Sequence, residues 1–192
     1  MDGSTARIFT IDGADRHGFL TFGRLHEQAL KLGFRGFLES FGAPALVPVP
    51  KGLDAKDLAS MDNEEQDESR VQLLTMAVRS PGFLVYLGKV AFLAKRPGNP
   101  FSHLISIGRS PKNDITVSVE SVSKVHGYFV ADGGAWAFTD RGSTNGSAIN
   151  DKPVEQGKRY RLEEGMEIRL GFEAVFEVVG PENLYRRAQQ GY

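Results

Sequence analysis

Near the N-terminus apolar residues recur at helical spacing. Phe22, Leu25, Ala29 and Leu32 share one face, and after Gly33 the same i, i+3, i+4, i+7 pattern resumes at Phe34, Phe37, Leu38 and Phe41. The pattern predicts helix over residues 18–41, as two short helices broken at Gly33, with Gly42 placed to end the second. The apolar stretch from Ala45 to Pro50 that follows is extended in character, and its prolines suit an edge strand. Val71 to Val78 is a short apolar run before Pro81-Gly82; it reads as a strand, with helix as the alternative.

From residue 83 the texture changes. Short apolar or alternating runs occupy 84–95, 103–108, 114–119, 126–131, 135–140, 159–162, 167–170 and 174–179. Turn formers separate them, among them Pro97-Gly98-Asn99-Pro100, Asp132-Gly133-Gly134, Asn145-Gly146 and Asn150-Asp151. Many short strands at this spacing, with no helical pattern between them, predict a mainly β chain: an antiparallel β-sandwich or barrel behind an N-terminal helical extension. Trp136, the only tryptophan, lies mid-strand and is expected in the core. The polar stretch from Pro181 to Tyr192 reads as a short helix or a frayed tail.

Composition narrows the chemistry. Lys+Arg number 23 against 24 Asp+Glu, a net charge of -1, which argues against bulk attraction to nucleic acid or to an anionic membrane. The 192 residues contain no cysteine, so disulfides, thiolate metal sites and a cysteine nucleophile are excluded. Five acids crowd residues 62–68, which reads as a solvated loop. Met1 to Thr5 shows no secretory signal, and the most apolar stretch, Phe83 to Ala94, is interrupted by Lys89 and too short to span a bilayer. The expectation is a soluble, cytoplasmic protein. His17, His26, His103 and His126 lack metal-ligand spacing, and no Gly-x-Ser-x-Gly elbow is present. Gly82 to Lys89 departs from a phosphate loop in length, and Val90 stands where Ser or Thr would hold magnesium. No cofactor, no metal and no catalytic constellation is expected.

What remains is a set of polar residues on turns: Gly108-Arg109, Asn113-Asp114-Ile115, Ser123-Lys124-Val125-His126 and Asp140-Arg141-Gly142-Ser143-Thr144-Asn145-Gly146, followed by Gly165-Met166-Glu167-Ile168-Arg169-Leu170-Gly171. Singly they are weak. Arg109 alone fits a surface ion pair, Lys124 a solvated cation, and Asn145-Gly146 a hairpin turn. In this order and spacing they resemble the forkhead-associated (FHA) domain, a phosphothreonine-reading β-sandwich. The resemblance covers roughly residues 83 to 179. Gly127 in place of Ala, Ser147 in place of Thr and Met166 in place of Asp are its departures. The organisation expected from it is an N-terminal extension over 1–80, an FHA domain over 81–180 and a C-terminal tail over 181–192.

The resemblance implies a phosphopeptide site of Arg109, Ser123, Lys124, Thr144 and Asn145, supported by Gly108, His126 and Gly146. The residue types suit the ligand. A phosphothreonine carries about -1.5 to -2 charge and three acceptor oxygens. Arg109 offers a planar donor fork, Lys124 a point charge, Ser123 and Thr144 hydroxyl or amide donors, and Asn145 an amide that both donates and accepts along a peptide backbone. The expected function is a non-enzymatic reader of threonine-phosphorylated partners downstream of a Ser/Thr kinase. The alternative is an FHA-fold assembly module that binds without phosphate. The apolar helical face within residues 1–80 needs a cover, which is expected to be either the sandwich, away from the phosphate site, or another copy of the chain, so self-association through residues 1–80 is a further expectation.

Overall fold

The computed structural model describes residues 13–50, 81–96, 103–132 and 134–190. The acidic run at 62–68 and the Val71–Val78 stretch lie outside them. The elements in chain order are β1 (Phe19–Thr21), α1 (Phe22–Ser40), β2 (Ala45–Pro48), α2 (Pro81–Leu84), β3 (Lys89–Phe92), β4 (Ile105–Gly108), β5 (Ile115–Thr116), β6 (Gly127–Asp132) and β7 (Ala135–Asp140). Then follow β8 (Ser147–Ile149), β9 (Lys152–Pro153), β10 (Arg159–Leu162), β11 (Glu167–Leu170), β12 (Ala174–Val179) and α3 (Pro181–Gln189). Two sheets face each other, one in the order β1-β3-β2-β12-β11-β8-β9 and one in the order β10-β7-β6-β4-β5.

The period-2 alternation of strand side chains divides the core in two. Phe19, Leu46, Ala91, Phe176 and Val178 point inward, where they meet Ile105, Ile107, Phe129 and Phe138 of the second sheet. Their neighbours Leu20, Ala45, Val47, Val90, Phe92 and Val179 point outward under a helical layer. That layer is α1 and α3, packed through Phe22, Leu25, Phe37, Phe41, Leu184, Tyr185 and Ala188. The Phe37 and Tyr185 rings meet at 5.2 Å, and His26 Nδ1–H donates to Ala188 O at 2.7 Å. Arg187 ties α3 to β12 through two bonds to Glu177 of 2.8 and 2.6 Å. The apolar helical face is therefore covered by the chain's own sheet, although Leu30 and Phe34 stay exposed.

The structure confirms the break in the first helix, where Gly33 leaves helical backbone at φ 64 and ψ 179. It corrects four details. Residues 19–21 form a strand and not the first turn of a helix, because Phe19 and Leu20 each bury on opposite faces of the sheet. β2 is not an edge strand: it pairs with β12 along its length and with β3 at Ala45 and Leu46. Pairing with β3 ends before Pro48, so the missing proline N–H costs no ladder bond on that side. β4 and β5 are parallel, since residues 109–114 carry the chain back to lie beside Ile107 and Gly108. Trp136 is only half-buried, at the margin of the inner core. The tail from Pro181 is an ordered helix that opens on proline, the residue whose missing N–H a first helical turn tolerates. The large sheet thus draws β1 and β2 from the first 80 residues and the rest from beyond them.

Strand register sets the position of the functional loops. Ile107 lies opposite Gly127, and Gly127 opposite Asp140. The end of β4, the start of β6 and the end of β7 therefore stand abreast, and the loops that leave them meet at one end of the sandwich.

The helical layer carries a testable consequence. Phe37 is fully buried between α1, α3 and the sheet. Phe37→Ala is expected to cost about 3–5 kcal/mol, read as a lowered midpoint in urea denaturation. An unchanged midpoint would mean that α1 folds apart from the sandwich.

Candidate functional site

The site forms where these loops lock together. After β4 the backbone N–H of Arg109 donates to Ser123 O at 2.9 Å and that of Ser110 to Lys124 O at 3.1 Å. Asn113 bridges the same two loops from its side chain, giving Nδ2–H to Ser110 O and to Lys124 O, each at 2.7 Å. Gly108 is required by this close approach. A Cβ there would stand 2.7 Å from Lys124 O and 2.9 Å from both Ser123 O and His126 N.

Asp114 anchors the far end of the Arg109 loop. It is 1% exposed, and its carboxylate accepts from Lys95 Nζ at 3.1 Å, Arg96 N at 2.9 Å, and Ser106 N and Oγ at 2.8 and 2.9 Å. Lys95 is buried as well and also donates to Leu104 O at 2.7 Å.

The third loop is organised by Asp140, which is 0% exposed. Its carboxylate accepts from Gly142 N at 2.8 Å, Ser143 N at 2.7 Å, Ser143 Oγ at 2.6 Å and the Ser147 hydroxyl. Ser147 in turn lies 3.1 Å from His126 Nε2, and His126 Nδ1 accepts from Ser123 N at 3.1 Å. The Nδ1 acceptor role places the imidazole proton on Nε2, so that ring donates to Ser147. A buried chain thus runs Asp140, Ser147, His126, Ser123 and joins two of the loops from beneath. Gly146 closes the same loop in left-handed backbone at φ 70, and its carbonyl accepts from Gly171 N at 2.9 Å. Gly127, the first departure from the family pattern, leaves room for the Phe138 ring, which would stand 2.6 Å from a Cβ there.

Above this framework the expected binding residues are brought together. Ser123 Oγ accepts from Thr144 N at 2.9 Å and donates to Thr144 Oγ1 at 3.3 Å. Asn145 next to it donates Nδ2–H to Ser121 O at 2.9 Å, and its Oδ1 makes no hydrogen bond among the described residues. Arg109 donates Nε–H to Val122 O at 3.1 Å, and its two Nη groups make no hydrogen bond among the described residues. Lys124 and Thr144 are exposed, Ser123 and Asn145 partly so. Neither Arg109 nor Lys124 has a carboxylate partner among the described residues. The result is a set of cations, hydroxyls and amide groups on mutually bonded loops, residue types suited to a small tetrahedral anion with a peptide attached. Among the described residues no group of His, Asp and Glu could hold a metal ion, and no helix is long and apolar enough to cross a membrane.

Several supporting residues escape the sequence reading. Asn113, Asp114 and Asp140 belong to the recognised motifs, but their roles as loop bridges emerge only from the contacts. Ser121 and Lys95 carry no sequence signal: Ser121 accepts through its carbonyl, which any residue supplies, and Lys95 ends an apolar run beside Arg96 with nothing to mark it as buried.

Electrostatics inside the framework give a pH dependence. Burial holds the His126 pKa below its ordinary 6.5, outweighing the upward pull of the Asp140 charge. Burial pushes Asp140 upward, but the donors from Ser143, Ser147 and Gly142 outweigh it and hold the carboxyl below 3.8. Both folded values are depressed, so in the pH range below each ordinary value the unfolded chain binds more protons than the folded one. The His126 contribution is complete above 6.5 and is lost as pH falls through its folded value; that of Asp140 follows in the same way below 3.8. The urea midpoint is expected to fall as the pH drops below 6.5, and His126→Asn to flatten that part of the profile. The same slope in the variant would contradict this assignment.

Residues 105–171 match the family model described as the FHA domain. The glycogen accumulation regulator GarA of Mycolicibacterium smegmatis is 33% identical over 103 residues, which cover 50% of this chain and 63% of that protein. The angiogenic factor with G patch and FHA domains 1 of Homo sapiens is 29% identical over 126 residues, 60% of this chain and 16% of its own length. The chain therefore spans less than two thirds of either relative. The solution structure of the FHA domain of an Arabidopsis thaliana hypothetical protein has 28% identity and a TM-score of 0.39, over 40% of this chain and 66% of that one. The motif order, the loop end that it builds and the match over 105–171 make this stretch of the chain an FHA domain.

Proposed function

We propose that this protein reads threonine-phosphorylated partners through the loop end of its sandwich and acts as a signalling adaptor downstream of a Ser/Thr kinase. The observation that carries the reading is the meeting of Arg109, Ser123, Lys124, Thr144 and Asn145 on mutually bonded loops, with both cations free of carboxylate partners among the described residues. Arg109 Nη groups and Lys124 Nζ supply charge to the phosphate. Ser123 and Thr144 exchange their mutual hydrogen bond for bonds to phosphate oxygens. Asn145 holds the peptide backbone with its remaining amide atoms. The site presents two cations to one dianion and is open to solvent, which sets affinity on the order of micromolar, about -8 kcal/mol.

Two features define specificity. A threonine γ-methyl packed between the loops supports about 1–3 kcal/mol of preference over serine, or roughly 10- to 200-fold. A carboxylate mimic has one charge and a planar head, so Asp or Glu in place of phosphothreonine binds poorly.

The test is calorimetric titration with phosphothreonine, phosphoserine and unmodified forms of a peptide selected from a phosphothreonine library. Arg109→Ala is expected to weaken binding at least about 100-fold, because it removes a charge-assisted fork. Asn145→Ala is expected to weaken it while the phosphate requirement stays. Equal binding of the unmodified peptide, or wild-type affinity in Arg109→Ala, would overturn the reading in favour of a phosphate-independent assembly module.

A further inference from the structure

The Arg109 loop is held from outside by a part of the chain far from it in sequence. Residues 15–18 turn tightly just before β1. Asp15 organises this turn: its Oδ1 accepts from His17 N at 2.9 Å and from Phe19 N at 3.0 Å, and its carbonyl accepts from Gly18 N at 3.0 Å. Its Oδ2 meets Lys89 Nζ at 3.3 Å, which fastens the turn to β3. The two carbonyls within the turn serve other partners. Arg16 O accepts from Arg96 Nη2–H at 2.7 Å, and His17 O accepts from Thr116 N at 2.9 Å. Gly18 permits the approach: it has φ 87, and a Cβ there would stand 2.7 Å from Asp114 O. The Asp15 turn therefore lies against residues 114–116, where the Arg109 loop ends.

Arg96 is the side chain that spans this seam. Besides Arg16 O it reaches Asn113 O, to which Nη1–H donates at 3.3 Å, while its backbone N–H donates to Asp114 Oδ1 at 2.9 Å. The side chains of His17 and Thr116 add no such bond, since His17 Nδ1 and Thr116 Oγ1 are buried without a partner among the described residues. A planar guanidinium holds two carbonyls at a fixed separation, which the point charge of a lysine does not. What Arg96 fixes is the backbone of Asn113, the residue whose side chain joins Ser110 O to Lys124 O. A shift of that backbone passes to both loops that carry the cations. We infer that Arg96 is a positioning residue of the phosphopeptide site, bracing the Arg109 loop against the Asp15 turn, so that residues 15–18 and 96, outside the 105–171 match, belong to the reader. The inference rests on the phosphopeptide reading above and adds to it a dependence on side chains that act through Asn113. A loop released from this brace must be ordered when the peptide binds, and the ordering lowers affinity.

The experiment is calorimetric titration of the full chain with a peptide selected from a phosphothreonine library, the urea midpoint of each variant being measured alongside so that affinity is compared between folded chains. Arg96→Gln is expected to weaken binding about tenfold, the scale of one charge-assisted hydrogen bond. Arg96→Lys, which reaches one carbonyl and not two, is expected to fall between that variant and the wild type. Asp15→Ala is expected to weaken binding to a similar extent. The pair Asp15→Ala, Arg96→Gln is expected to lose no more than the larger single loss, because both act through one seam. In the unliganded Arg96→Gln chain the amide NMR signals of Ser110, Asn113 and Lys124 are expected to shift while those of Gly142 and Ser143 stay in place, a pattern that a general loss of stability does not produce. Should Asp15→Ala fail to fold, the two Arg96 variants and the amide signals decide the matter. Wild-type affinity in Arg96→Gln, unmoved Ser110, Asn113 and Lys124 signals, or fully additive losses in the pair overturn the inference while the phosphate reading stands. Equal binding of the phosphorylated and unmodified peptides by the wild type overturns the phosphate reading, and this inference with it.

Discussion

Asp140 sits in the interior at the end of β7 with four hydrogen-bond donors around its carboxylate, two from backbone N–H groups and two from serine hydroxyls. An isolated buried carboxylate is costly, and here the compensation comes from neutral donors. His126, 3.7 Å away, is held below its ordinary pKa by burial and stays neutral through most of the physiological range. The loop end is thus held together beneath its surface without using the cations above it. Had Asp140 been balanced by Arg109 or Lys124, the framework would exist and the site would not. The separation of a floor held by neutral hydrogen-bond donors from surface cations without a carboxylate partner among the described residues is the condition on which the proposed anion recognition rests.

A second buried carboxylate, Asp114, repeats the arrangement on the other side of Arg109, with one difference. Its compensation includes a true ion pair with Lys95, nearly as buried as itself. Breaking such a pair from one side strands a charge in the interior, which typically costs several kcal/mol. The Arg109 loop is therefore pinned at both ends, by Asp114 at its close and by the contact of Gly108 with the Ser123–His126 backbone at its start. The helical layer supports this at a distance. It covers the outer face of the sheet that includes β12 and β11, and β11 joins β8, into which the Asn145 loop runs.

Much of this was legible in the sequence, and the gaps have physical causes. The turn residues of the site announce themselves because phosphate recognition demands particular chemical groups at fixed spacing. The inner strands are legible from their alternation, and the break at Gly33 from the interrupted helical period. What is lost concerns partners far apart in sequence. Ala45–Pro48 reads as an edge because of its prolines, yet its neighbour on one side is β12, more than a hundred residues away. Phe19 and Leu20 read as the start of a helix because two adjacent apolar residues fit either period, and only burial on both faces of a sheet separates the two. Ser121 acts through its carbonyl, which the identity of a side chain does not encode. The link between residues 16 and 113 is likewise invisible until the backbone brings them to the two ends of the Arg96 guanidinium.

The central claim, that the loop end recognises phosphothreonine while its buried floor stays fixed, is tested most directly by backbone amide NMR during titration with a phosphothreonine peptide. The account predicts large shifts at the amides of Arg109, Ser123, Lys124, Thr144 and Asn145, with the Gly142 and Ser143 amides bound to Asp140 and the amides of α1 and α3 nearly still. Shifts centred on the helical layer, or of equal size with the unphosphorylated peptide, would contradict it.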